Sequence, residues 1–490
     1  MLAMPAPGPL QAFATQRRTL LAAGMASLLP AVLQAQAPAP QPALPAEVLA
    51  ELQRARIPVS ALACLAQELG SRRVVLEHQS RQMMNPASVV KLVTTAAALD
   101  QLGPAWSWAT PVWIRGTPDA RGVLEGNVHI QGSGDPKLVF ERVWLLLRRV
   151  QQMGVRDLRG DFVLDSSAFA APEATPGDFD GEHLRAYNAQ PAALLLNYSA
   201  RVYGFVPDPA REVAVVTIEP PLVGQPLERS VPLNSGPCDD WRAGLQASFN
   251  AGRPRFAGSY PAACGERQWV LADPEPASYN RRLIEGLWRE MGGRLGGRVR
   301  SGPAPAGPPS FEIRSPPLLD VVRDINKFSN NVMAQQLALT LALQRDPARP
   351  ATAEAARENL RGWLAERLGP LPAETVIDNG SGLSRLTRMS AATLVALLQL
   401  AWESPWMSEL ISSLPVSGTD GTLRRSRAGN GRAHLKTGTL RDSAALAGVV
   451  LGDSGRRYAF VAMVNHPGAA AARQALDALV AWTMRDGTGR

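Results

Sequence analysis

The chain has 490 residues, of which 46% are hydrophobic and 19% charged, a balance typical of a globular protein with about two or three domains. Its formal net charge is +8, but the basic residues are scattered and form no long run, so the sequence does not indicate a nucleic-acid-binding surface. Beyond the N-terminal segment, no apolar run approaches the roughly 20 residues that a transmembrane helix needs, which argues against a stable membrane anchor.

Residues 1–37 are predicted to be an export signal. Arg17 and Arg18 precede an apolar stretch over 20–32, and the small-residue sequence A-Q-A follows at 35–37. This order is typical of a signal peptide that is cleaved on secretion. The alternative is an uncleaved tail. We therefore expect a mature protein that begins near residue 38 and resides in the periplasm.

Helix and strand patterns begin after a linker rich in proline and alanine at 38–47. A short helix is predicted over 48–57, and strands are predicted over 61–67 and 73–77. The segment 88–102 is apolar on nearly all faces, which predicts a central buried helix. From 103 to 309, short β-like runs are separated by Gly, Pro and Asp, which predicts a β-rich insertion of two subdomains.

Helical spacing returns after the insertion. Helices are predicted over 317–326, 330–343, 351–368, 390–403 and 470–484, and strands over 434–438, 445–451 and 457–465. One domain would thus be split into 38–102 and 310–490, on either side of the insertion at 103–309. A sheet built from the first and last strands beside a helical region predicts an α+β fold.

The three cysteines are Cys64, Cys238 and Cys264. In an exported protein, Cys238 and Cys264 can close a small loop within the insertion. Cys64 lies in the apolar sequence A-L-A-C-L-A, which favours a buried free thiol. The sequence alone does not fix the pairing.

The hexapeptide P-A-S-V-V-K at 86–91 contains the first candidate catalytic pair, Ser88 and Lys91. Lys91 lies one helical turn after Ser88 on the same face. Burial in an apolar helix would lower the pKa of its amine and let it act as a base toward the hydroxyl. Taken alone, a serine at a helix start is more often an N-cap.

Two further motifs follow much later in the chain. K-F-S-N-N-V at 327–332 contains Ser329 and Asn331, which in isolation would be ordinary helix-capping residues. H-L-K-T-G-T at 434–439 is predicted to be a strand whose Gly438 permits close approach of a ligand backbone. An edge strand of this kind offers N–H and C=O groups to an extended peptide. An exposed strand end is the ordinary alternative.

The order S-x-x-K, S-x-N, K-T-G resembles the penicilloyl-serine transferases, which are the penicillin-binding proteins and serine β-lactamases. The long insertion between the first two motifs is similar to that of the low-molecular-mass class C penicillin-binding proteins. These are D-alanyl-D-alanine carboxypeptidases and endopeptidases of the penicillin-binding protein 4 type. The sequence D-N-G-S-G-L-S-R at 378–385 also resembles a loop of this family, with Asn379 inserted. The resemblance implies an antiparallel sheet with a helical subdomain.

The resemblance also implies roles for the motif residues in forming an acyl-enzyme. Ser88 would attack the carbonyl between two D-alanines, or at a D-alanine–diaminopimelate cross-link, and Lys91 would take its proton. The backbone N–H groups of Ser88 and Thr439 would form the oxyanion hole. Ser329 would relay a proton to the leaving amine, and Asn331 would hold the substrate amide.

The K-T-G strand is implied in substrate binding. Lys436 would supply positive potential, Thr437 and Thr439 would bind the terminal carboxylate, and Gly438 would line the same strand. The expected partners are peptidoglycan stem peptides ending in D-Ala-D-Ala or cross-linked, and β-lactam antibiotics. No cofactor is expected, and the five histidines form no ligand pair for a catalytic metal.

Two alternatives stay open at this point. A serine β-lactamase or esterase on the same scaffold would turn over β-lactams rapidly. A non-catalytic peptidoglycan-binding scaffold would be expected to have lost motif residues, whereas the full set is present in this chain: Ser88, Lys91, Ser329, Asn331 and Lys436.

Overall fold

The computed structural model describes residues 44–224, 228–249 and 254–487. The export signal predicted over 1–37 lies outside these residues. Within the described part of the chain, no helix is long and apolar enough to cross a membrane.

The helices and strands are numbered in chain order. The helices are α1 Ala46–Arg54, α2 Lys91–Leu102, α3 Phe140–Gln152, α4 Trp241–Gly244, α5 Pro276–Glu290, α6 Leu318–Phe328, α7 Asn331–Arg345, α8 Ala353–Leu368, α9 Ala391–Glu403, α10 Met407–Ser413 and α11 Arg473–Met484. The strands are β1 Leu62–Glu68, β2 Val74–His78, β3 Ala109–Ile114, β4 Val123–Leu124, β5 Val128–Gln131, β6 Asp157–Leu158, β7 Phe162–Asp165, β8 Ala200–Asp208, β9 Val213–Glu219, β10 Ser230–Asn234, β11 Ala247–Ser248, β12 Arg255–Phe256, β13 Tyr260–Pro261, β14 Arg267–Ala272, β15 Arg294–Leu295, β16 Val299–Ser301, β17 Phe311–Arg314, β18 Ala433–Leu440, β19 Ser443–Leu451 and β20 Arg457–Asn465.

The central sheet joins the two ends of the chain. Its order is β18-β19-β20-β1-β2, and every neighbouring pair is antiparallel. The N-terminal β1 pairs with the C-terminal β20, with Leu65 opposite Val461. The predicted α+β fold, with a sheet fed by the first and last strands, is confirmed. The sheet ends at β18, which carries the K-T-G motif.

Helices cover both faces of this sheet, so its strands are buried on both sides. In β20, Val461 and Met463 pack into the core formed with α2 and α6–α10. Their neighbours Phe460 and Ala462 point the other way, into a core formed with α1 and α11. The alternation follows from the two-residue period of a strand.

Helix α2 lies at the centre of the larger core, as its sequence predicted. The side chains from Lys91 to Leu99 are all buried. The run Ala96–Ala98 presents small side chains, and α6, α7 and α8 all contact α2. Lys91 therefore lies at the start of a helix whose first nine residues are buried.

The insertion contains the predicted short strands and also three helices that were not predicted, the long α3 and α5 and the four-residue α4. One of its sheets has the order β16-β7-β5-β3-β17. β5 and β7 pair in parallel, and α3 lies in the connection between them. A parallel pair requires such a crossover. The domain boundaries stay a prediction, and the pairing of β17 with β3 favours an exit from the insertion after residue 314.

A second sheet of the insertion has the order β13-β10-β9-β8-β14 and a small aromatic core of its own. Cys238 and Cys264 form a disulfide beside this core, which confirms the pairing considered from the sequence. Cys64 is a buried free thiol in β1, also as expected. Burial raises the pKa of its thiol to about 12.

Candidate active site

Ser88 lies in a 3-10 turn, Ala87–Val90, that leads directly into α2. Ala87 has a φ of +48°, in the left-handed region, and its N–H donates to Asn85 Oδ1 at 2.9 Å. Asn85 Nδ2 in turn donates to the carbonyl of Ser384 at 2.9 Å. No side chain caps the start of this turn or of α2, so the N-cap interpretation of Ser88 is wrong. Asn85, which precedes the turn, stabilises it through these hydrogen bonds. The hydroxyl of Ser88 contacts Lys91 and does not cap a helix.

Lys91 is fully buried and surrounded by oxygen atoms. Its Nζ lies 3.0 Å from Ser88 Oγ and 2.6 Å from Asn331 Oδ1, and it also donates to the carbonyl of Ser381. Burial, with a smaller contribution from the charge of Lys436, lowers the pKa of Lys91 well below its ordinary value. A neutral amine at this position has a lone pair available for the serine proton.

The S-x-N motif lies at the junction between α6 and α7. Ser329 follows the last residue of α6 and has a φ of +58°, which ends that helix. The cap of α7 is Asn330, whose side chain accepts from the N–H of Met333 at 3.0 Å. Ser329 and Asn331 are therefore free for other contacts: Ser329 Oγ accepts from Lys436 and Asn331 Oδ1 from Lys91.

Lys436 is the second buried lysine of the site. Its Nζ lies 2.9 Å from Ser329 Oγ and 2.7 Å from the carbonyl of Thr437. Burial lowers its pKa to about 7. The adjacent Thr437 hydroxyl donates to Thr422 Oγ1 at 2.8 Å, and the side chain of Thr439 is exposed on the edge strand β18. The polar contacts thus form two groups, Ser88–Lys91–Asn331 and Ser329–Lys436, and the S-x-N motif contributes one residue to each.

Gly438 lets β18 approach the nucleophile turn. A Cβ atom at this position would overlap the carbonyl oxygen of Pro86 and would lie 3.2 Å from Ser88 N. Gly382, with a φ of +78°, lies against the same turn, where a Cβ would overlap the carbonyl of Ala87. Absence of a side chain at both positions is what allows the strand and the loop to hold Ser88 between them.

The loop at 379–383 supplies the third oxygen atom around Lys91, a contact that was not predicted. Asn379 Oδ1 accepts from the N–H groups of Ser381 at 3.0 Å and Gly382 at 3.3 Å, and its Nδ2 donates to the carbonyl of Leu383. These bonds fold the loop so that the Ser381 carbonyl meets Lys91. The additional Asn379 noted in the sequence is therefore the residue that shapes the loop.

The insertion also borders the site through α7. Gln336 accepts from the N–H of Ala192 at 2.9 Å and donates to the carbonyls of Ala192 and Gly134. One turn earlier on the helix, Asn331 Nδ2 lies 3.5 Å from the carbonyl of Tyr187. These contacts join elements far apart in sequence, and no local pattern predicted them.

The catalytic and substrate-binding residues selected from the sequence thus lie on the α2 turn, the α6–α7 junction and β18. Within the residues that the structure describes, no group of three or more His, Cys, Asp or Glu side chains is placed to hold a metal ion.

Residues 44–486 match the D-Ala-D-Ala carboxypeptidase 3 (S13) family. The chain belongs to this family. The fold and the serine carboxypeptidase class predicted from the motifs are thereby confirmed. The S13 match covers nearly all the described residues, including the whole insertion.

This S13 protein is similar to characterised relatives along most of its length. It is 30% identical to the D-alanyl-D-alanine carboxypeptidase of Actinomadura sp. (strain R39), over 79% of this chain and 75% of that protein. It is 24% identical to the D-alanyl-D-alanine carboxypeptidase DacB of Haemophilus influenzae, over 82% of this chain and 84% of that protein. The crystal structure of penicillin binding protein 4 from Haemophilus influenzae has the same fold, with a TM-score of 0.71 at 21% identity, covering 89% of this chain and 99% of that one.

Proposed function

We propose that this protein hydrolyses the D-alanyl-D-alanine bond of peptidoglycan stem peptides through an acyl-enzyme on Ser88. The observation that carries the proposal is the position of Lys91, buried, with its Nζ 3.0 Å from Ser88 Oγ and 2.6 Å from Asn331 Oδ1. A lowered amine pKa beside a serine hydroxyl is the arrangement that activates serine as a nucleophile.

Acylation begins when Ser88 Oγ attacks the carbonyl carbon of the penultimate D-alanine and its proton passes to Lys91 Nζ. A neutral Lys91 keeps two N–H bonds for Asn331 and Ser381 and aims its lone pair at the serine. The developing oxyanion is held by the N–H groups of Ser88 and Thr439. The C–N bond then breaks, and the leaving amine of the terminal D-alanine takes the proton that Lys91 accepted from Ser88, delivered through Ser329.

Substrate binding falls to β18. The terminal carboxylate lies by the hydroxyls of Thr437 and Thr439, in the positive potential of Lys436. Gly438 keeps the strand close enough to the Ser88 turn for one peptide to reach both. Asn331 contacts the amide of the stem peptide. Water hydrolyses the acyl-enzyme, restores Ser88 and releases the shortened peptide.

D-Alanine release from a synthetic peptide ending in D-Ala-D-Ala tests this proposal. The purified protein should release D-alanine, and Ser88→Ala should not. The same peptide ending in L-Ala-L-Ala serves as the substrate control. Release by Ser88→Ala at the wild-type rate would rule out the assigned nucleophile.

Digestion of purified muropeptides separates the finer activities. Loss of one D-alanine from monomers indicates a carboxypeptidase, and conversion of cross-linked dimers to monomers indicates an endopeptidase. β-Lactams acylate Ser88 by the same attack, and a long-lived adduct distinguishes a D,D-peptidase from a β-lactamase, which would turn the drug over rapidly.

We further propose that residues 1–37 direct export and are removed, so that the enzyme works in the periplasm, where its substrate is found. The disulfide between Cys238 and Cys264 supports this, because such bonds form in oxidising compartments. N-terminal sequencing of the protein recovered from the periplasm should start near residue 38.

A further inference from the structure

A second lysine beside the S-x-N motif, Lys327, is also buried but lies outside the reaction just described. Its side chain is 6% exposed, and its Nζ lies 2.6 Å from Asp420 Oδ2. Asp420 belongs to the segment 415–422, which lies between α6 and β18. Burial alone would raise the pKa of Asp420, but the hydrogen bonds from Lys327 and the N–H of Val416 outweigh it and lower that pKa.

The segment 415–422 is hydrogen-bonded at both of its ends to β18, the strand that carries the K-T-G motif. The N–H of Leu435 donates to the carbonyl of Pro415, and the N–H of Ser417 donates to that of Ala433, both at 2.9 Å. At the far end, the Thr437 hydroxyl donates to Thr422 Oγ1 at 2.8 Å. Any movement of this segment therefore moves Thr437.

The same segment is pressed against the end of α6. Gly421 has a φ of +54°, and a Cβ on it would lie 2.5 Å from the carbonyl oxygen of Lys327. The Lys327–Asp420 pair and this backbone contact thus join the helix that ends at Ser329 to the segment that supports β18. Inside the cleft, the hydrogen bond from Lys436 to Ser329 spans the same two elements.

We infer that Lys327 and Asp420 are positioning residues, which fix the distance between the Ser329 turn and β18 and thereby shape the site for the substrate carboxylate. This inference rests on the proposed function, since it assumes that Thr437 and Thr439 bind that carboxylate. Lys327 is buried but the side chain of Asp420 is 38% exposed, and an ion pair of this kind adds little to the free energy of unfolding, so stability alone does not account for it. Its position does account for it, because the pair joins the end of α6, which leads to Ser329, to the segment that supports β18.

The test measures acylation by a fluorescent penicillin, which carries the carboxylate, over a range of concentrations. The data give the apparent dissociation constant of the initial complex and the limiting acylation rate constant. In Lys327→Met the dissociation constant should rise about 10- to 100-fold, the effect of losing a charged hydrogen bond that shapes the site. The limiting rate constant should change less than the dissociation constant, because the pair contacts neither Ser88 nor Lys91 and affects the rate only through Ser329 and β18.

Three further variants separate a positioning role from general damage to the fold. Asp420→Asn should raise the dissociation constant as Lys327→Met does, and the double variant should be no worse than either single one, since the pair acts as a unit. Gly421→Ala, which keeps both charges but pushes the segment from α6, should give the same kind of change.

The matched control is Lys137→Met. It breaks another partly buried ion pair on α6, to Asp324 at 2.7 Å, without touching the segment 415–422. Its acylation constants should stay within about twofold of wild type. Thermal melting of each variant identifies those that do not fold.

Wild-type acylation constants in folded Lys327→Met, or a loss confined to the limiting rate constant, would overturn the inference. So would additive losses in the double variant. These results differ from a failure of the proposed function, in which the wild-type protein itself would not be acylated on Ser88.

Discussion

Replacing Lys436 by methionine should stabilise the protein at neutral pH while removing its activity. Lys436 is fully buried, and burial lowers its pKa from 10.5 to about 7. In the unfolded chain the same amine keeps its proton up to about pH 10. Near pH 7 to 10 the unfolded state therefore binds more protons than the folded state, and this difference favours unfolding.

The size of the effect follows from these two pKa values. At pH 7, this difference in proton binding lowers the free energy of unfolding of the wild-type protein by about 4 kcal/mol. Methionine would forfeit the hydrogen bonds to Ser329 Oγ and to the Thr437 carbonyl, worth about 1 kcal/mol each. A net gain of about 2 kcal/mol should remain. Relief of the charge near Lys91 acts in the same direction.

The pH dependence identifies the cause. Between pH 7 and 10 the folded protein has lost this proton while the unfolded chain still binds it, so a rising pH favours the folded wild-type protein and the advantage of Lys436→Met should shrink. Below pH 7 the advantage should be constant, because both states then bind the proton. The measurement is urea unfolding followed by tryptophan fluorescence at pH 6, 7, 8 and 9.

Lys137→Met is the control, since it removes an ion-paired lysine that is partly exposed and should not stabilise the protein. The reasoning is refuted if Lys436→Met is less stable than wild type at pH 7. It is also refuted if the difference between the two proteins does not narrow from pH 7 to pH 9.

Two other predictions concern packing. Gly438→Ala should push β18 away from the Pro86 carbonyl by about 1 Å and slow penicillin acylation about 100-fold. The control is Gly362→Ala, which should be acylated at the wild-type rate because the nearest atom to the new Cβ is 3.9 Å away. Equal acylation rates for the two variants would contradict the role given to Gly438. Replacing both Cys238 and Cys264 by serine should destabilise the small aromatic core of the insertion by about 2–4 kcal/mol. Proteolysis within this core should become faster, while penicillin should still acylate Ser88 at the wild-type rate. Loss of acylation in the folded variant would contradict this prediction and show that the core supports the site.

Local sequence patterns were sufficient to predict many of the helices and strands. The strand predicted over 457–465 has those bounds in the structure, because the turn D-S-G precedes it and its apolar run is unbroken. The helix at 88–102 was predicted as central because it lacks a polar face, and it is buried, although its first residues form a 3-10 turn. In each case the signal lies within about ten neighbouring residues.

Features that depend on distant contacts were not predictable in this way. The helices α3 and α5 were missed because short strands and glycines surround them, although α3 has its buried residues at helical spacing. The left-handed Ser329 and the cap at Asn330 depend on how α6 meets α7. The carbonyl of Ser381 beside Lys91, and the pairing of Lys327 with Asp420, appear only when the chain is folded.

In the candidate site, too, the sequence predicted the residues but not the contacts between distant parts of the chain. Ser88, Lys91, Ser329, Asn331 and Lys436 were selected by residue type and order, and each was consistent with an ordinary cap or strand end in isolation. The structure brings them into two hydrogen-bonded groups, Ser88–Lys91–Asn331 and Ser329–Lys436. The resemblance had singled out the loop at 378–385, but the contacts by which this loop and the segment 415–422 support the site appear only in the structure.

The central claim is that Ser88 is the acylated nucleophile, and peptide mapping of the penicillin adduct tests it most directly. Trypsin should release residues 82–91, Q-M-M-N-P-A-S-V-V-K, in which Ser88 is the only hydroxyl side chain. After incubation with penicillin, the account predicts one penicilloyl group on this peptide and none in Ser88→Ala. A stable adduct on any other peptide, or an adduct that persists in Ser88→Ala, would contradict it.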